Sequence, residues 1–193
     1  MKKSKKATSI IEAMIVMLII VVWITGLYNI FNNSQKLSNS TKNRIEAIEI
    51  AREWVEAMKN IRDTNWLIFA WDKQNCWNSL NYNSDCVWWG WTYITNKSYK
   101  LYQDSSDFKW KLEEKNPNLG FTDSTYRDNF RIYKNNWFYT QTWTTNPTIF
   151  TREIKITNVT STWMLVNSIV QWADSSKNWS HKVELSDLIT NWK

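Results

Sequence analysis

The chain has 193 residues, 43% of them hydrophobic, with 24 Lys plus Arg against 18 Asp plus Glu. That balance suits one ordinary domain with one special segment and excludes a disordered tail or a polytopic membrane protein. One His, two Cys and two Pro exclude most zinc frameworks, a disulfide-dense miniprotein, cysteine ligation of haem or iron-sulfur clusters and any His-pair acid/base machinery, so neither enzyme activity nor a cofactor is expected.

The formal charge of +6 is concentrated at the start, where Lys2, Lys3, Lys5 and Lys6 supply four of the six units and leave +2 for the remainder. A general nucleic-acid binder spreads its basic residues through a folded groove. Lysines directly before an apolar run instead hold that end on the cytoplasmic side of a membrane. The run goes from Ile10 to Phe31, 22 residues, and a helix of that length covers roughly 33 Å, enough for a hydrocarbon core of about 30 Å. Thr25-Gly26-Leu27-Tyr28 leads straight into further apolar and then amphipathic sequence, unlike the end of a cleavable secretory signal, so the segment is expected to be retained.

Glu12 is the only charge between Lys6 and Lys36. A carboxylate in lipid costs several kcal/mol unless it finds a cation or a proton, which makes it a functional candidate; the competing reading is a Glu near the interface that snorkels to headgroups.

Lys5-Lys6-Ala7-Thr8-Ser9-Ile10-Ile11-Glu12-Ala13-Met14-Ile15-Val16-Met17 resembles the type III signal of type IV prepilins and pseudopilins: a short basic leader, a small residue, and an acid at the fifth position of the mature chain. The resemblance implies that prepilin peptidase cuts between Ala7 and Thr8, that Thr8 is the N-methylation candidate, and that Glu12 pairs with the new N-terminus of a neighbouring subunit. Ala7 and Thr8 stand where the family usually has Gly and Phe. The implied protein is a structural subunit, major or minor, of a type IV pilus or a related type II secretion or competence filament. Its partners would be other pilin subunits, the prepilin peptidase and the assembly platform. It would reside in the cytoplasmic membrane as a single-pass precursor with its C-terminus outside, then in an extracellular filament. The competing expectation is an uncleaved, signal-anchored surface protein whose β-domain binds a glycan, DNA or a partner protein.

After the membrane segment, Ile45, Ile48, Ala51, Val55, Met58 and Ile61 recur at helical spacing while charged residues fill the positions between. They predict an amphipathic helix with one buried stripe, ending at Asp63-Thr64-Asn65. Trp54, nine positions from Ile45, is expected to point away from that stripe. The stretch from Ile50 to Leu67 also looks like one recurrent in pilin-like proteins of small, uncultured bacterial lineages, in which the position of Trp54 is Gly and that of Trp66 is Trp. The ending Leu188-Ile189-Thr190-Asn191-Trp192-Lys193 is similar to theirs too.

From about residue 66 the period changes, and runs rich in Thr, Tyr, Ile, Val and Phe alternate with Asn, Asp and Ser clusters, as in an antiparallel meander. The expected strands are Trp91 to Thr95, Tyr99 to Gln103, Asn129 to Tyr133, Phe150 to Asn158, Met164 to Gln171 and His181 to Leu185. Arg152-Glu153-Ile154-Lys155-Ile156-Thr157 alternates as a strand with one wet face does. The expected architecture is α+β: a long N-terminal helix, half transmembrane and half amphipathic, packed against a C-terminal antiparallel β-sheet, as in pilins. Its divisions are a leader at 1–7, the transmembrane and assembly helix at 8–31, the amphipathic helix at 32–65 and an exported β-rich head at 66–193.

Cys76 and Cys86 enclose a nine-residue loop. If the domain is exported, a disulfide between them contributes roughly 2–3 kcal/mol. The alternatives are two free thiols or half of a metal site, for which no further Cys or His lies nearby. His181 has no nucleophile signature to serve. Asp104, Asp107, Asp123 and Asp128 lack the spacing of a calcium loop and read as solvated loop carboxylates. Tyr93, Tyr99, Tyr102 and Phe108 suit strand packing, with a DNA-contacting face formed with Lys97, Lys100 and Lys109 as the other reading.

Fifteen Trp stand against three Gly, where an average composition gives about 13 Gly. The neighbours of the tryptophans, as in Cys76-Trp77-Asn78, Trp88-Trp89-Gly90-Trp91, Asn136-Trp137, Thr142-Trp143-Thr144, Gln171-Trp172-Ala173-Asp174 and Asn178-Trp179, are those of turn glycines. The pattern points to UGA codons written as Trp where the cell inserts Gly; the resemblance to pilin-like proteins implies that Trp66 and Trp192 are true tryptophans. The other reading is a Trp-rich surface protein such as a carbohydrate binder, and UGG codons at Trp88, Trp89 and Trp137 would establish it.

Overall fold

A computed structural model describes residues 10–86, 92–104, 106–115, 120–135, 138–173 and 180–191. The protein is α+β, and its contacts divide it into two units, Met1–Arg44 and Ile45–Lys193.

Helix α1 (Ile10–Ile68) contains no proline and one glycine, Gly26, so nothing in its sequence breaks the backbone ladder. The polar stretch from Asn32 to Ser40, which sequence leaves open between helix and frayed coil, is helical. Within the first unit the Thr25 hydroxyl is held by its own helix, donating to the carbonyls of Val21 and Val22 at 3.0 and 2.9 Å, which removes an unpaired polar group from the apolar stretch.

The second unit begins with the amphipathic part of α1, which packs on a seven-stranded antiparallel sheet. Its buried face runs through Ala47, Ile50, Ala51, Trp54, Val55, Met58 and Ile61. Two expectations are corrected by that phase. Ile45 is 54% exposed, and Trp54 is fully buried, because Trp54 stands one helical turn after Ile50 and one before Met58. The helix also continues past Asp63-Thr64-Asn65. Asn65 turns inward and donates to the carbonyls of Trp77 and Ser79 at 3.2 and 2.9 Å, while its own carbonyl accepts from Phe69 N.

After α2 (Lys73–Cys76) and two short turns come β1 (Ser98–Gln103), β2 (Trp110–Lys115), α3 (Ser124–Phe130), β3 (Arg131–Asn135), β4 (Phe138–Thr140), β5 (Pro147–Thr157), β6 (Trp163–Ala173) and β7 (Ser180–Thr190). Strand β5 is the spine. It pairs with β6 along one edge, and β1 and β3 share the other, each extended outward by its hairpin partner, β2 and β4. Four cross-strand pairs, Phe150 with Trp172, Arg152 with Val170, Ile154 with Ser168 and Ile156 with Val166, line the face toward α1. Burying each aliphatic side chain there contributes about 1.5–3 kcal/mol.

The strands expected over Tyr99 to Gln103, Phe150 to Asn158, Met164 to Gln171 and His181 to Leu185 are present, each longer than expected, with Asn158 itself just beyond β5. Four details differ. Asn129 and Phe130 form the end of α3, so the strand expected from Asn129 to Tyr133 begins only at Arg131, in β3; Asp123 caps that helix by accepting from Thr125 N at 2.7 Å. Of the run from Trp91 to Thr95, residue 91 lies outside the described residues, and the rest forms a single bridge from Tyr93 to Ser79. Arg152 shares the parity of Ile154 and Ile156, so the strand's inner face carries a buried cation. Trp172 lies inside β6 rather than in a turn. Among the described residues, positive φ occurs outside Gly at Asn81, Tyr82, Phe108 and Asn158, so no described Trp has it.

Candidate functional site

Ala7 and Thr8, the expected cleavage point, lie outside the described residues. Glu12 sits in the first turn of α1, exposed, where a negative charge also complements the helix dipole. Along the following turns Ile15, Ile19, Trp23, Leu27 and Phe31 are all half or more exposed. An 18-residue window of α1 has mean hydropathy 2.6 and is wholly unburied. By length and composition the helix is able to cross a membrane, and it presents an apolar surface that the rest of its own unit does not cover.

Cys76 and Cys86 form a disulfide, with Sγ–Sγ 2.11 Å and Cα–Cα 5.4 Å. Both are buried with Phe69, and the Tyr93 hydroxyl donates to the Cys86 carbonyl at 3.1 Å. The bond therefore closes the segment after α1 on itself, joining the end of α2 to residue 86, with Phe69 packed against it. A cleft of about 430 Å³ lies beside this loop, between residues 74–78, 93–96 and 159–161.

The remaining candidates are engaged locally. Asp104 accepts from Ser106 and pairs with Lys111, and its carboxyl is held well below the usual range, by Lys111 first. Asp107 accepts from Lys109 N, Asp123 caps α3 and Asp128 pairs with Arg131. Among the described residues no group of three His, Cys, Asp or Glu side chains is placed to hold a metal. His181 stacks on Trp172, with centroids 5.3 Å apart. Tyr99 is buried, while Lys97 and Lys100 pair with Glu114 and Glu113 and Lys109 lies over Tyr82.

Two buried polar clusters escape sequence reading because each joins residues far apart in the chain. Glu153, on the sheet face away from α1, accepts from Ser98 and, at 2.7 Å, from the Tyr126 hydroxyl of α3. Burial, then the Glu153 charge, push the Tyr126 phenol far above its ordinary value. On the other face Arg152 approaches Glu53 at 3.9 Å; burial drives its guanidinium well down, and burial raises Glu53 against the pull of Arg152. A second cavity, about 420 Å³, is lined by Glu53, Trp54, Tyr102, Phe108, Trp110 and Tyr139 among others.

Fold and site thus define an α+β protein with a disulfide-braced head and an N-terminal helix of membrane-spanning length and composition. No family model, curated protein or solved structure matches the chain.

Proposed function

We propose that the chain is a structural subunit, major or minor, of a type IV pilus or a related secretion or competence filament, assembled through its N-terminal helix. The observation that carries the reading is the isolation of Glu12: one carboxylate at the head of an exposed apolar segment, five residues after a basic, cleavable-looking leader. In lipid, or in a fibre core of packed helices, such a charge is tolerable only when paired. The free amine created by cleavage before Thr8, supplied by an adjacent copy, pairs it and sets the register between subunits. The disulfide supports exposure of the head to an oxidising compartment, the side opposite the lysine leader. The same chemistry assigns prepilin peptidase, the assembly platform and other copies of pilin subunits as partners.

N-terminal sequencing of filament material is the direct test. A mature start at Thr8 is expected; a start at Met1 identifies a tethered surface protein instead.

A further inference from the structure

An open sheet ends in strands whose outer backbone N–H and C=O groups have no neighbouring strand to take them. Among the described strands these are β2, β4 and β7, and they are finished differently. Strand β4 is only three residues long. Along β2 the outward groups are taken within the molecule: Leu112 N donates to the Asn81 side-chain carbonyl at 2.8 Å, the Asn81 amide donates back to Leu112 O at 2.9 Å, and the Tyr82 hydroxyl donates to Trp110 O at 2.9 Å. Strand β7, eleven residues long, pairs with β6 alone.

One bond just past the end of β7 fixes which of its backbone groups face outward. Asn191 N donates to Thr162 O at 2.7 Å, one step beyond the opposed pair Trp163 and Thr190. Odd-numbered residues of β7 therefore exchange bonds with β6, and even-numbered ones turn theirs to the open edge. Two even positions are engaged at the C-terminal end: Leu188 N donates to the Asp187 carboxylate at 2.9 Å, and Thr190 O accepts from Arg62 at 3.4 Å. Lys182, Glu184 and Ser186 remain, and among the described residues no hydrogen bond reaches their outward backbone groups.

We propose that this open stretch of β7 pairs antiparallel with the same stretch of a second copy of the chain. The charges select both partner and register. A two-fold axis at Val183 sets Lys182 of each copy opposite Glu184 of the other, so each ammonium, already 2.6 Å from the Glu184 carboxylate of its own strand, gains a second one. Moving the axis one residue either way sets Glu184 against Glu184 or Lys182 against Lys182, which is unfavourable. Moving it to Leu185 calls on Leu188, whose N–H is already taken. A strand from an unrelated protein offers backbone groups but not this self-complementary pattern. The contact is isologous and closes at two copies; since the subunits of one filament point the same way, in the filament reading it joins heads of separate filaments. It uses the head alone and does not depend on cleavage at Thr8.

The test uses the full chain in detergent micelles, with micelles in excess over protein. In Val183→Cys the new side chains face each other with Cβ atoms about 4.5–5.5 Å apart, so diamide oxidation should give a disulfide-linked dimer. Leu185→Cys, about 13 Å from its counterpart in this register, should not cross-link. Sedimentation measures the dimer Kd: Lys182→Glu should raise it at least about tenfold by setting like charges opposite, and adding Glu184→Lys to that variant should restore it. The proposal is overturned by a chain that stays monomeric at every concentration, by cross-linking at Leu185→Cys as readily as at Val183→Cys, by an unchanged Kd in Lys182→Glu, or by failure of the double variant to restore pairing. A monomeric chain whose N-terminus is Thr8 would overturn this pairing and leave the filament reading intact.

Discussion

The guanidinium carbon of Arg152 lies 2.7 Å from the centre of the Trp54 ring. Carbon atoms in favourable contact stand about 3.5–4.0 Å apart, so the two groups compete for one space. Both are fully buried. Among the described residues Arg152 Nε, Nη1 and Nη2 and Trp54 Nε1 have no hydrogen-bond partner, and Glu53 is reached only at 3.9 Å. The other fully buried indole behaves differently, since Trp77 Nε1 donates to Ser161 O; Trp172, nearly as buried, packs edge-on to Phe150.

Trp54→Gly is therefore expected to keep or raise the melting temperature. Deleting a well-packed Trp costs about 3–5 kcal/mol and a mid-helix Gly about 1 more. Here that loss is offset by relief of the overlap and by freedom for Arg152 to reach Glu53 and water. Thermal melts of the two chains side by side provide the check, and a marked fall for the glycine variant would show that the indole belongs there. If codon 54 is read as glycine in the cell, the corresponding peptide from source material will be lighter by the mass of the indolylmethyl group less the hydrogen that replaces it.

Alkaline pH should destabilise the head through its tyrosines. Burial first, and then Glu153 for Tyr126 and Glu46 for Tyr139, raise these phenols, Tyr139 to about 12; burial likewise lifts Tyr82 to about 12. In the unfolded chain each loses its proton near pH 10, while the folded chain keeps it. The folded state then binds more protons, and the free energy of unfolding falls as pH rises from about 10 toward 12. Denaturant titrations between pH 9 and pH 12 should show this slope, flattened in Tyr126→Phe; an equal slope in that variant would remove Tyr126 from the account.

Replacing Cys76 and Cys86 together by Ser should lower the free energy of unfolding by about 2–3 kcal/mol, with α1 still formed by circular dichroism. Urea titration of both chains measures it. A change under about 0.5 kcal/mol would mean that the packing of Phe69, Tyr93 and the cysteines holds the loop without the bond.

Glu12→Ala should leave the precursor abundant in the membrane but absent from sheared filaments. Glu12→Gln, which keeps shape and loses charge, should fail in the same way. Immunoblots of membrane and sheared fractions decide, and normal incorporation of either variant counts against the pairing of Glu12 with a neighbour's terminus.

The parts of this structure legible in the sequence are those whose pattern is local. Ile154 and Ile156 alternate with Lys155 and announce β5, and the long apolar stretch from Ile10 to Phe31 announces the first half of α1. The phase of the buried stripe hangs on a single residue: a stripe begun at Ile45, which is exposed, turns Trp54 to the wrong side. Strand β2 was hidden because Lys111, Glu113 and Glu114 hide its one buried position, Leu112. Helix α3 was hidden because Tyr126 and Phe130 favour strands in isolation, and the Asp123 cap that overrides them is a geometric feature. The cleft beside the disulfide loop and the Glu153 cluster come from segments distant in the chain, and no window of sequence contains them.

The inner strip of α1 is sealed by strands made more than a hundred residues later, Ile50 against Val170 and Trp172. A nascent chain must therefore expose that oily strip until its last hairpin has been made. Its maturation will depend on whatever shields the half-made product during that delay, and premature stops within β6 or β7 should yield proteolytic fragments instead of a smaller folded head.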